Sequence, residues 1–86
     1  MLHLYSHVQN VNKMELSEVN ALFIRIKNKE GFFEKTWKPW GVKITDVFVI
    51  HDQGNYRITF KYENGKENSI SEFLKWHELD LSFFDN

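Results

Sequence analysis

A nucleophilic site can be assembled on paper from this chain, with Ser69 or Ser71 as nucleophile, His51 or His77 as base and Asp46 or Asp52 as the orienting carboxylate. The residue types suffice for acyl transfer, but the local frames that position such groups are missing. The sequence has no nucleophile elbow, no glycine-rich phosphate loop and no zinc-hydrolase helix. His3 and His7 stand four residues apart, which on a helix would turn both imidazoles toward one metal, yet no neighbouring carboxylate or third histidine completes a ligand set. Near a terminus they read as solvent-exposed, and His51 and His77 read as polar-tipped neighbours of the core. Glu30 with Glu34, and Glu78 with Asp80, lack the apolar setting that would hold one carboxyl protonated. The absence of cysteine excludes a disulfide framework and a thiolate zinc site. These residues predict no enzyme, no metal and no cofactor.

The chemistry that the chain does offer is non-covalent. Residues 25–43, RIKNKEGFFEKTWKPWGVK, place Arg25, Lys27, Lys29, Lys35, Lys38 and Lys43 beside Phe32, Phe33, Trp37, Trp40 and the only proline. Formal charge is −1 over residues 1–24, +4 over 25–43, zero over 44–66 and −4 over 67–86, so the total of −1 conceals a basic belt and an acidic tail. Exposed aromatics can stack on unpaired bases while lysines follow phosphates. The same residue types anchor protein interfaces, and a proline-stiffened loop loses little entropy on docking. At a net charge of −1 there is no long-range pull on a polyanion, so nucleic acid would depend on the local belt alone.

The belt therefore predicts a partner-binding site made of Trp37, Trp40, Lys35, Lys38, Phe33, Arg25, Lys27, Lys29 and Lys43. A protein partner is favoured, with single-stranded RNA or DNA as the alternative. Trp37 is the expected exposed anchor, and Trp40, next to Gly41, the more structural of the two. A second reading of the same residues stands beside it: a chain of 86 residues buries only roughly 60–65% of its unfolded surface and needs most of its aromatics inside, which would leave the lysines as a solvated face. In the acidic tail, Glu72, Glu78, Asp80 and Asp85 interleave with Leu79, Leu81, Phe83 and Phe84. That pattern fits ordinary surface charge at a helix end, or a surface that pairs with the belt of a second copy in a homodimer.

The elements that must carry these residues are legible in part. Tyr56, Ile58, Phe60 and Tyr62 alternate with Arg57, Thr59, Lys61 and Glu63, which predicts a strand with one dry face. Asn64-Gly65 predicts a tight turn with positive φ at both residues, followed by a short polar edge strand over 66–70. Upstream, Val42, Ile44, Phe48 and Ile50 on one parity and Thr45, Val47 and Val49 on the other predict a central strand, joined to the next by the turn cluster Asp52-Gln53-Gly54-Asn55. Leu22, Ile24 and Ile26 alternate as a strand while Leu16, Val19, Asn20 and Phe23 have helical spacing, so a short helix from about Glu15 is expected to run into a strand. Ser69-Ile70-Ser71-Glu72 is a capping box opening a helix over 70–79, with Ile70, Phe73, Leu74 and His77 on one side and Trp76 away from that stripe.

The run YRITFKYENGKENSISEFL, residues 56–74, resembles the closing part of a Tudor-type or other SH3-like small barrel: an alternating aromatic strand, a Gly/Asn turn, a short strand and a helical turn. The Tudor tetrapeptide Asp-Tyr-Gly-Asn is replaced here by Tyr62-Glu63-Asn64-Gly65. The expected architecture is one α+β or mainly-β domain spanning residues 1–86, an antiparallel meander forming an SH3-like half-open barrel with a C-terminal helix, to which residues 1–13 attach loosely. That N-terminal stretch has no secretory pattern and no apolar run approaches the roughly 18 residues of a membrane span, which points to a soluble, cytoplasmic protein. The format suits a small regulator or inhibitor that docks on a larger protein, of the kind that phages and mobile elements carry.

Overall fold

The computed structural model describes residues 14–85; the loosely attached segment expected over 1–13, with His3 and His7, lies outside them. The first element is α1, Leu16–Lys27, whose Val19, Leu22 and Ile26 are buried along one face. This corrects the strand expected over residues 22–27. Leu22 and Ile26 are four apart and turn inward together on a helix, whereas Ile24, which alternation would place with them, is 58% exposed. The Glu18 carboxylate accepts the Glu15 N–H at 3.1 Å at the start of the helix. Arg25 and Lys27 stand at its carbonyl end, where cations are favoured.

Residues 28–43 then cross to the sheet, inserting Phe32 and Trp37 into the core, and the Trp37 N–H donates to the Val42 carbonyl at 2.9 Å. The sheet is the expected meander: β1 (Ile44–Asp52), β2 (Asn55–Tyr62) and β3 (Glu67–Ser69), antiparallel throughout and in the order β1-β2-β3. The central strand is thus β2, and β1, apolar on both faces, stands at an edge; the expectation that it is central is corrected. β3 is the short polar edge strand that was expected.

The two hairpin turns divide the turn chemistry in an unexpected way. Positive φ at both central residues occurs in Gln53 (53°) and Gly54 (80°), the two-residue loop between β1 and β2. In the β2–β3 loop only Gly65 has positive φ (84°). There the Gly65 N–H donates to the Tyr62 carbonyl at 2.9 Å and the Tyr62 N–H to the Lys66 carbonyl at 2.8 Å, a three-residue loop closed by glycine. Asn64 contributes through its side chain, which accepts the Lys66 N–H at 3.0 Å, rather than through a left-handed backbone.

The second helix, α2, is Ile70–His77, and both halves of its capping box are present: Ser69 Oγ accepts the Glu72 N–H and the Glu72 carboxylate accepts the Ser69 N–H, each at 3.3 Å. It stops at Glu78, a left-handed residue with φ 53°, where the Leu79 N–H reaches back to the Leu74 carbonyl at 2.9 Å. A 3₁₀ turn, Leu81–Phe84, follows and buries Leu81 and Phe84. Ile44, Val47, Ile58, Phe60 and Tyr62 of the sheet meet Val19, Leu22 and Ile26 of α1, Ile70, Phe73 and Leu74 of α2, and Phe32 and Trp37 of the crossing loop in one core. The result is an α+β fold whose three strands form an open sheet, with no further strand among the described residues to curl it toward the expected half-open barrel.

Candidate functional site

Adjacent residues on two elements form the site. In the crossing loop, Trp37 points in and Lys38 points out; at the end of α2, His77 points in and Trp76 points out. The inner pair is in contact, since the Trp37 and His77 rings lie 5.0 Å apart edge to face, and Phe73 closes on both at 5.0 and 4.5 Å. The outer pair, Lys38 and Trp76, lines an open cleft of about 510 Å³ together with Glu72, Lys75 and Glu78. The core contact therefore fixes the distance between the loop and the helix end, and through it the mouth of the cleft.

Trp37 is only 8% exposed, and its indole N–H donates to the Phe32 carbonyl at 3.0 Å, which satisfies the one polar atom that burial would otherwise strand. The expectation that Trp37 is the exposed anchor is corrected: the loop folds back on itself and uses Trp37 as its own core. Trp40, expected to be the more structural, is the less buried of the two and lies against Tyr62 at 4.9 Å. Trp76 is 55% exposed. It stands roughly 110° around the helix from the centre of the buried stripe, so a large aromatic on the polar side of an amphipathic helix was the signal that could have found it.

The remaining belt residues separate into sectors. Lys27 lies 5.6 Å from the Phe33 ring centre and 5.9 Å from that of Phe23, Lys29 lies 4.8 Å from Phe83, and Lys35 lies 5.8 Å from Trp37. Their stems thus cover the rims of the aromatic core. Phe33 is half-buried, edge-on to Phe32 at 5.1 Å. Arg25 faces Asp85 of the acidic tail at 3.8 Å, so belt and tail meet within one chain. Lys43 directly precedes β1, and its N–H donates to the Glu63 carboxylate at 2.9 Å. Of the predicted site, only Lys38 borders the cleft.

Two groups have shifted acidities. Burial, aided by the Lys38 charge and opposed by the Lys38 backbone carbonyl, pushes His77 below its usual 6.5. Its Nε2 is buried and has no hydrogen-bond partner among the described residues. Tyr62 is pushed up to about 12, chiefly by burial, with its hydroxyl donating to Asn68 Oδ1 at 3.0 Å. Of the groups that the sequence offers for a nucleophilic site, Ser69 Oγ accepts the Glu72 N–H in the helix cap, and the His51 ring stacks on Tyr56 at 4.4 Å. Among the described residues no cluster of His, Asp and Glu could hold a metal ion, and no helix is long and apolar enough to cross a membrane. Comparison with protein-family models, with curated proteins and with solved structures returned no match.

Proposed function

We propose that the protein is a non-enzymatic docking module, a small regulator or inhibitor that covers part of a larger protein's surface with Trp76 as the anchor and Lys38 and Lys75 beside it. The observation that carries this reading is an indole 55% exposed on the wall of a cleft whose two sides, the loop and the helix end, are tied together by the Trp37–His77 contact behind it. A tryptophan left in water, where the other described aromatics are buried or half-buried, costs solvation that a partner's surface would recover. The belt contributes Lys38 directly, whereas Lys27, Lys29 and Lys35 lie over aromatic rings outside the cleft lining. What favours protein over single-stranded nucleic acid is that the cleft is lined by as many glutamates as lysines, and that Phe33 and Trp37 are covered by core and by their own lysines rather than open for stacking.

The test compares wild type with Trp76→Ala and Lys38→Glu in capture of a partner from cells of the native source. Both variants are expected to fold and to lose the captured protein; an identical captured set would sink the reading. Single-stranded oligonucleotides give the alternative its own measurement. With about four phosphate contacts, raising salt from about 50 to about 200 mM would weaken binding roughly fifty-fold. The docking reading expects no binding at tens of micromolar protein.

A further inference from the structure

β1 has the composition of an interior strand and the position of an edge strand. Val47 is buried and Val49 half-buried on its core face, while Phe48 and Ile50 are half-buried on the opposite face. β2 lies along one side; on the other, the Trp37–Val42 bridge shields only the approach to the strand. The Gln53-Gly54 turn then fixes which backbone groups point where. A two-residue loop makes Asp52↔Asn55 a hydrogen-bonded pair, and so, in alternation, are Ile50↔Arg57 and Phe48↔Thr59. Val47, Val49 and His51 consequently direct their N–H and C=O groups away from β2. The same alternation holds on β2, where the Tyr56 N–H turns from β1 and donates to the Met14 carbonyl at 3.4 Å. No strand among the described residues meets the outward groups of β1. The strand also lacks the lysine or proline that commonly blunts an edge, and its bulge lies at one end, between Ile44 and Asp46.

We propose that β1 pairs antiparallel with β1 of a second copy about a two-fold axis at Val49, joining two three-stranded sheets into one continuous sheet. Only this register uses all the outward groups: Val47 pairs with the copy's His51, Val49 with itself across the axis, and His51 with Val47. A shift by two residues in either direction brings the bulge or the turn into the pairing. The same register sets Phe48 opposite the copy's Ile50, and by symmetry Ile50 opposite Phe48, so the apolar residues of the outer face cover one another. At its ends Asp46 faces the copy's Asp52. These like charges keep the pairing weak, although Lys61 stands across from Asp46 and Arg57 lies 3.5 Å from Asp52 within each chain. The surface is separate from the Trp76 cleft and differs from a belt-to-tail dimer.

The test is the mass of the full chain by sedimentation equilibrium from about 10 µM to about 1 mM, with amide exchange of Val47, Val49 and His51 at both extremes. A concentration-dependent dimer is expected, strengthened by salt, in which those amides become slower to exchange. Ile50→Lys should weaken it at least about threefold, and Asp46→Lys, an exposed position that removes the like-charge contact, should tighten it at low salt by a similar factor. A chain that stays monomeric throughout overturns the proposal, as does a dimer whose three amides exchange unchanged. Protection of those amides at every concentration also overturns it, because the edge would then be covered within one chain. An Asp46→Lys variant that associates no more tightly overturns the register about Val49.

Discussion

Trp37 and Trp76 look alike in the sequence, each an indole beside lysines and short of any apolar run, yet one is 8% and the other 55% exposed. They are separated by a short path through the core, from Trp37 to His77 and then one residue along α2. Their local composition does not distinguish them; what they can reach does. Trp37 follows a loop that turns back so that the Phe32 carbonyl meets its N–H, and Phe32, Phe73 and Phe83 surround its ring. Trp76 is carried by a helix whose direction is already set by Ile70, Phe73 and Leu74, and its azimuth leaves it outside. In a small chain, a loop aromatic can seek the core, whereas a helical aromatic goes where the stripe sends it.

The largest effect should come from the inner member. Trp37→Ala is expected to cost about 3–5 kcal/mol, since it empties the centre of the aromatic cluster and leaves the Phe32 carbonyl without its donor. A urea denaturation midpoint within error of wild type would remove the distinction between the two indoles. Next is Ser69→Ala, expected to cost about 1 kcal/mol by exposing the Glu72 N–H at the start of α2. If the Trp37–His77 contact positions Trp76 as the geometry indicates, this variant should loosen the first turn of the helix and leave the last turn, and partner capture, unchanged. Hydrogen exchange along α2 separates those outcomes.

How much of this was readable beforehand depends on whether the deciding contact was local. The meander, the Ser69 cap and the inward stripe of α2 follow from alternation, turn residues and helical spacing over a few positions. In α1 the residues Leu22, Ile24 and Ile26 fit a strand as well as a helix over so short a window, and it is packing against β1 and β2 that selects the helix. The place of β1 at an edge depends on strand order, which its own residues do not encode. Asn64-Gly65 marks the hairpin but not its turn type, since a one-residue longer loop lets Asn64 act through its side chain. The burial of Trp37 is illegible for a further reason: the carbonyl that makes it tolerable belongs to its own loop and meets the indole only when the loop is folded.

His77 sharpens the comparison through pH. Its imidazole is held below 6.5 by burial, so the folded state disfavours the charged ring relative to the unfolded chain. Below that value the unfolded state binds more protons, and stability is lost as pH falls from the unfolded pKa toward the folded one. Above it the contribution is fully present. The expected result is a denaturation midpoint that drops between about pH 7.5 and about pH 5.5 more in wild type than in His77→Gln, the difference cancelling the shared response of the other titrating groups. Equal slopes would mean that the ring is solvated and does not hold the loop against the helix.

The smallest effect on stability, and the one that decides the role of the outer member, is that of Trp76→Ala. Removing a side chain that is 55% exposed should change stability by no more than about 0.5 kcal/mol, because it opens no cavity and breaks no hydrogen bond in the fold. The indole should still report its position: quenching by acrylamide should be dominated by Trp76 in wild type and fall in Trp76→Phe, leaving the blue-shifted emission of the more shielded Trp37 and Trp40. Addition of a captured partner should protect Trp76 from the quencher and leave the Trp76→Phe signal unmoved. A loss of stability comparable to that of Trp37→Ala would instead make Trp76 a packing residue whose exposure is shared with solvent only at one edge, and the two indoles would then differ in degree rather than in kind.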